Sequence, residues 1–169
     1  MIKAITRKPS PLDASALIRL RKSLCSETDF MLFETDEYSP SLEQEIDFIN
    51  RFNQGKNSTI LVSELDGELI GFLAAAGSSL RKIRHSASLF LGVRKQYWGQ
   101  GIATELLTQT QQWAKSIELK RLELTVSPNN HRAIALYSRL GFETEGIKRC
   151  AININNRFED EKIMGWILS

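Results

Sequence analysis

The chain is poor in cysteine. Its two, Cys25 and Cys150, stand in unlike surroundings and exclude a disulfide framework; they read as reduced packing thiols of a cytoplasmic protein. Proline is nearly as scarce, four in 169 residues, and no proline-rich or low-complexity linker splits the chain. Neither sign of charge dominates. With 22 basic and 20 acidic side chains, interspersed and netting +2, the sequence calls for no nucleic-acid partner. Long apolar runs are missing too. The longest, GFLAAAG at 71–77, is far short of a membrane span, and MIKAITRKPS has no apolar stretch of signal-peptide length. What remains is ordinary for a globular protein: 42% hydrophobic and 25% charged residues, in a length that suits one domain over 1–169.

Periodicity then orders the elements. Ile2 to Thr6 reads as a short strand. Pro9-Ser10-Pro11 breaks it and leads into a helix with Leu12, Ala16, Leu20 and Leu24 at helical spacing. The polar stretch SETDFMLFETDEYSP is an irregular connection. Ser41 and Gln44 form a capping-box pattern ahead of a second helix with Leu42, Ile46, Ile49 and Phe52 on one stripe. TILVSEL and ELIGFLAAA flank Asp66-Gly67, the signature of a tight hairpin. HSASLFLGV is a strand in which Leu89, Leu91 and Val93 alternate. IATELLTQTQQWAKSI is a helix with Ile102, Leu106, Trp113 and Ile117 on one face, and RLELTVSP is the next strand. NNHRAIALYSRLG carries Asn at its start and Gly141 at its end, as helix caps. Two strands, ETEGIKRCAI and KIMGWIL, close the chain around Asn153 to Asn156. The order βααβββαβαββ predicts a mixed α/β domain.

In QYWGQGIATELL, Gly99 and Gly101 precede an apolar helix. A helix start presents unpaired N–H groups and about half a positive charge. Glycine lets a ligand reach them without meeting a Cβ. Three phosphate loops compete for this pattern. A Walker loop needs Lys-Ser/Thr after its last glycine, and none follows Gly101. A dinucleotide fingerprint needs a third glycine where Thr104 stands. The third, the pyrophosphate loop of coenzyme A-dependent acyltransferases, is matched in order and spacing by Val93, Arg94, Lys95, Gln96, Gly99 and Gly101.

A second signature follows in order: Asn130, Ala133, Leu136, Tyr137, Gly141 and Phe142, in the pattern N-x-x-A-x-x-L-Y-x-x-x-G-F. With both, the chain resembles the GCN5-related N-acetyltransferase (GNAT) superfamily, most strongly over 88–143. Its tail is similar to the ribosomal-protein, spermidine and amino-acid acetylating branches. The resemblance implies a mixed, mostly antiparallel sheet of six or seven strands with about four helices, and acetyl-CoA as co-substrate without a metal. It implies that main-chain groups of Leu91, Gly92 and Val93 hold the pantetheine arm. It implies a diphosphate wrapped by Gln96, Trp98, Gly99, Gln100, Gly101, Ile102, Ala103 and Thr104, with Asn130 contacting the cofactor arm. Tyr137 would bind the cofactor by a hydrogen bond to its sulfur and be the acid that protonates the departing thiolate.

Many superfamily members place a Glu as base on the strand leading to Val93. Here no carboxylate lies between Glu68 and Glu105, which leaves Glu34, His85 or a water chain. The connection between the first two helices carries Glu34, Asp36 and Glu37 beside Phe30, Phe33 and Tyr38, an acceptor side expected to attract a cationic amine. The expected acceptor is a small primary amine or a peptide N-terminus, attacking directly in a ternary complex. Neither cysteine has a partner suited to a covalent intermediate. The rival function is an acyl-CoA-binding sensor on the same fold. Exposed strand edges in the tail fit a homodimer.

Overall fold

The computed structural model describes residues 3–169, so Ile2, expected at the start of the first strand, lies outside the described residues. The elements are β1 (Ile5–Arg7), α1 (Ala14–Glu27), α2 (Leu42–Gln54), β2 (Thr59–Leu65), β3 (Glu68–Gly77), β4 (Ser86–Val93), α3 (Ile102–Ser116), β5 (Arg121–Val126), α4 (His131–Arg139), β6 (Glu143–Ile154) and β7 (Arg157–Ile167). Their order is the one that the periodicity predicts. All seven strands join one sheet in the order β1-β2-β3-β4-β5-β7-β6. Every pairing is antiparallel except β4 with β5.

Local chemistry sets the joints. Asp66 and Gly67 both take positive φ, 49° and 81°, the backbone of a tight turn whose twist matches its strands. Ser41 and Gln44 exchange both capping-box bonds at the start of α2. Asn155 and Asn156, at φ 51° and 63°, turn β6 back into β7, and both strands run further towards this turn than ETEGIKRCAI and KIMGWIL imply.

Helices cover both faces of the sheet. Leu73, Ala75, Leu89, Leu122 and Met164 pack with Leu106 and Leu107 of α3 in one core. Phe72, Ala74 and Val62 pack with Leu17, Leu20, Leu24 and Ile49 of α1 and α2 in the other. The expected stripe of α1 is out of phase at its start: Ala14 and Leu17 are buried, whereas Leu12 is 95% exposed. Leu12 falls in the 3-10 turn Pro11–Asp13, whose three residues per turn do not continue the α-helical phase. Leu42 and Ile117 are likewise exposed, because each sits at the very end of its helix.

Arg7 ties β1 to the rest. Its Nη1 and Nη2 donate to Asp13 at 2.9 and 2.8 Å, and Nη2 also donates to Glu64 on β2 at 2.7 Å. The Arg7 hydrogen bonds hold the Asp13 carboxyl down at about 2. A carboxyl depressed in the folded state adds stability above its unfolded value of about 4, lost as pH falls towards the folded value. Urea midpoints of Asp13→Asn should therefore fall below the unsubstituted protein at pH 7, with the gap closing between about pH 4 and pH 2. A gap independent of pH would contradict this.

Candidate functional site

The site begins where two strands part. β4 and β5 pair only from Ser86↔Arg121 to Ser88↔Glu123, yet β4 runs on to Val93 beside β3 and β5 to Val126 beside β7. The Arg94 amide donates to the Ile70 carbonyl at 2.9 Å. Since main-chain groups alternate sides along an antiparallel ladder, Leu91 and Val93 turn their N–H and C=O groups away from β3 into the gap. The Val93 carbonyl accepts from Trp98 Nε1 at 2.7 Å. Gly92, opposite Phe72 in the register, turns its main-chain groups to β3 and borders the cleft without offering them. A cleft of about 1650 Å³ runs through the gap.

At one end of this cleft stands the start of α3. Gly99 and Gly101 sit at φ 75° and 87°, which side-chain-bearing residues rarely adopt. No side chain caps α3 at Gly101, so the first-turn amides at Ile102, Ala103 and Thr104 lack intrahelical partners and face the cleft that these residues line. Glu27 anchors the base of the loop, accepting from Arg94 Nε at 2.6 Å and from the Lys95 amide at 2.7 Å. Gln100 donates to the Gln96 carbonyl at 3.0 Å, bracing the turn from within.

Two cations reach this place from α4. The Arg132 guanidinium lies 4.9 Å from the Trp98 ring centroid, with Nη2 3.3 Å from where a Cβ on Gly99 would stand. Arg139 Nη2 donates to Thr104 Oγ1 at 3.2 Å. The sequence reading missed both, although seven residues is two helical turns and puts them on one face of α4. Asn130 lines the cleft and also caps α4, its Oδ1 accepting from the Ala133 amide at 3.2 Å.

Tyr137, from α4, borders the same cleft. Its ring is 8% exposed and tilts against Phe142 at 5.8 Å between centroids. Burial pushes the phenol up to about 12. Its hydroxyl has no side-chain or main-chain partner among the described residues.

The acceptor side departs from expectation. Phe30, Phe33 and Tyr38 line the cleft, but Glu34 does not, nor do Asp36 and Glu37. A turn takes these carboxylates outward: the Glu37 amide donates to the Glu34 carbonyl at 3.1 Å, and Glu37 Oε2 accepts from the Glu34 amide at 2.9 Å. His85 is not in the cleft either. It precedes the paired end of β4 and lines a separate pocket with Ser86, Ser88, Arg121 and Glu123. The acidic groups that do border the cleft on β7 are Glu159, Asp160 and Glu161.

A family model described as Acetyltransferase (GNAT) family matches residues 24–142, more than half of the chain. The chain belongs to that family. Its structure is similar to that of a GNAT-family acetyltransferase from Streptococcus pneumoniae, with a TM-score of 0.95 and 28% identity over 98% of this chain and 100% of that one. A ribosomal-protein-alanine N-acetyltransferase from Brucella melitensis is similar at 0.86 and 24%, over 97% and 99% of the two chains. A GNAT superfamily phosphinothricin acetyltransferase from Sinorhizobium meliloti, solved in complex with acetyl-CoA, is similar at 0.84 and 19%, over 99% and 90%. The last two show the shared fold. The matched stretch ends at Phe142 and so holds the parted strands, the glycine turn and Tyr137 together, whereas β7, with its cleft-lining acids, lies outside it.

Proposed function

We propose that this GNAT protein transfers the acetyl group of acetyl-CoA to a primary amine, by direct attack within a ternary complex. The observation that carries it is one cleft that joins the free main-chain edge of β4, the uncapped start of α3 and the Tyr137 hydroxyl. A pantetheine arm has amides that can pair with Leu91 and Val93 as a further strand would. Its diphosphate suits the amides from Gly99 to Thr104, where Trp98, Gly99, Gln100 and Gly101 shape the turn and Arg132 adds charge. Gln96, expected in this set, does not line the cleft, and the Tyr97 and Trp98 amides already donate to the Arg94 and Lys95 carbonyls.

A main-chain N–H of Leu91 or Val93, aimed at the thioester carbonyl, stabilises the oxyanion that forms as the amine attacks, a contribution of about 3 kcal/mol. The carbon–sulfur bond then breaks, and Tyr137 gives its proton to the departing sulfur. The attacking amine must first lose a proton, because an alkylammonium group near pKa 10 is charged at neutral pH. Glu161, half-buried and with no ion pair among the described residues, is the base we assign in place of Glu34 and His85. The register puts it on the face of the sheet that carries Thr125.

Incubation with acetyl-CoA and a panel of amines, followed by free thiol release, tests the proposal. Amine-dependent release well above hydrolysis is expected. Tight acetyl-CoA binding with no release on any amine would instead favour the sensor function.

A further inference from the structure

The wall opposite β7 carries two arginines and one acid, Asp29. Arg21 of α1 and Arg51 of α2 both line the cleft, and both guanidinium groups lie over one ring, 4.6 and 5.8 Å from the Phe48 centroid. Arg21 also stacks 4.4 Å over Tyr38 and 5.5 Å over Phe72. Its Nη1 is held by Glu45 Oε1 at 3.2 Å, and Glu45, 2% exposed, is held in turn by the Tyr38 hydroxyl at 3.0 Å. This clamps the guanidinium by its faces and one nitrogen.

Stacking uses the faces of the group and leaves its edge donors free. Nε and Nη2 of Arg21 make no hydrogen bond among the described residues. Neither is sealed from solvent, since Asn53 Oδ1 is the only unpartnered buried side-chain polar atom among the described residues. Their outlet is the cleft. Arg51 has no ion pair among the described residues and stacks 5.7 Å over Phe52. Glu45 offsets Arg21 and Asp29 borders the same wall, so the positive charge there is local to Arg51 and the free edge of Arg21. Across the cleft, Glu159, Asp160 and Glu161 outnumber the two cations of the same side, Lys148 and Arg157, and suit an ammonium group. A polyamine, cationic at both ends, would put one end against the arginines, at a cost in electrostatic energy.

Resting on the acetyl-transfer proposal, we infer that the acceptor is a zwitterion: an amine whose other end is a carboxylate, seated on the edge donors of Arg21 and the guanidinium of Arg51. The carboxylate end holds the substrate at the α1/α2 wall and points its amine towards the parted strands. Phe30, Phe33 and Phe90 border the same space and suit an apolar segment between the charges.

Matched acceptors test this. The pairs are 4-aminobutanoate against butylamine and 1,4-diaminobutane, and L-leucine and L-phenylalanine against 3-methylbutylamine and 2-phenylethylamine. The carboxylate-bearing member should lead in kcat/KM by about tenfold or more, the scale of one charge-assisted contact. Arg51→Gln should erase most of that lead through KM and leave the simple amines unchanged, and Arg51→Lys should restore part of it. Arg51 is exposed, so neither variant threatens the core. Equal turnover of both members, or an equal loss on all amines in Arg51→Gln, would overturn the inference. Calorimetry of 4-aminobutanoate, L-leucine and L-phenylalanine on the coenzyme A-loaded protein separates the two proposals. Binding lost in Arg51→Gln without turnover keeps the carboxylate seat and sinks acetyl transfer; no binding and no turnover sink both.

Discussion

Tyr137→Phe should lower kcat by roughly 10²- to 10³-fold, the range expected when a positioned general acid is removed. The KM for acetyl-CoA should stay within about threefold, because main-chain groups and α4 cations are proposed to hold the arm and the diphosphate, and the phenol touches the sulfur alone. Phenylalanine fills the same buried space against Phe142. The hydroxyl has no protein partner to orphan, so folding stability should change by less than about 1 kcal/mol. A rate loss without a stability loss separates an acid from a packing residue.

The pH profile gives a second readout. Burial disfavours the phenolate and holds the group neutral up to about 12. Throughout the neutral and mildly alkaline range the proton is present to give, and Tyr137 imposes no alkaline limb there. Tyr137→Phe should lower the plateau without moving the limbs of the profile; Glu161→Gln should lower kcat on every amine. If Tyr137→Phe keeps kcat within threefold, protonation of the sulfur falls to water or another group, and the proposed role of Tyr137 is wrong.

What was legible in the sequence is what depends on neighbours along the chain. Asp66-Gly67, the Ser41/Gln44 cap, the Asn130 cap and the glycine turn are each fixed by a few adjacent residues, and each stands where expected. The glycine turn and the α4 signature also carry the family. Features that depend on distant segments were not legible. The parting of β4 from β5 is set by where two registers stop, at Ser88 and Glu123, and no single strand encodes that point. The acids of the α1–α2 connection were misplaced for a related reason. Glu34, Asp36 and Glu37 sit beside aromatics in sequence, but one turn sends the acids out and the aromatics in. Arg21 and Arg51 come from different helices and meet only because α1 and α2 pack side by side around Phe48. An arginine on an amphipathic helix has the same local pattern whether it faces solvent or a cleft.

Gly101→Ala should abolish tight acetyl-CoA binding at small cost to the fold. At φ 87° an alanine carries left-handed strain of about 1–2 kcal/mol. A Cβ there meets nothing of the protein within 4 Å, and Gly101 lines the cleft where the diphosphate is proposed to lie. Strain alone would be shared by any glycine with this backbone, and Gly67 supplies the control. It has φ 81°, equally empty surroundings and a place in the β2–β3 turn, away from the cleft. Gly67→Ala and Gly101→Ala should therefore lower the melting temperature by similar amounts. Only Gly101→Ala should raise the Kd for acetyl-CoA, by about a hundredfold, since a methyl group that keeps a diphosphate off two or three amides forfeits several charge-assisted bonds. Measured by calorimetry at equal protein stability, equal affinities in the two variants would remove the α3 start from the binding site.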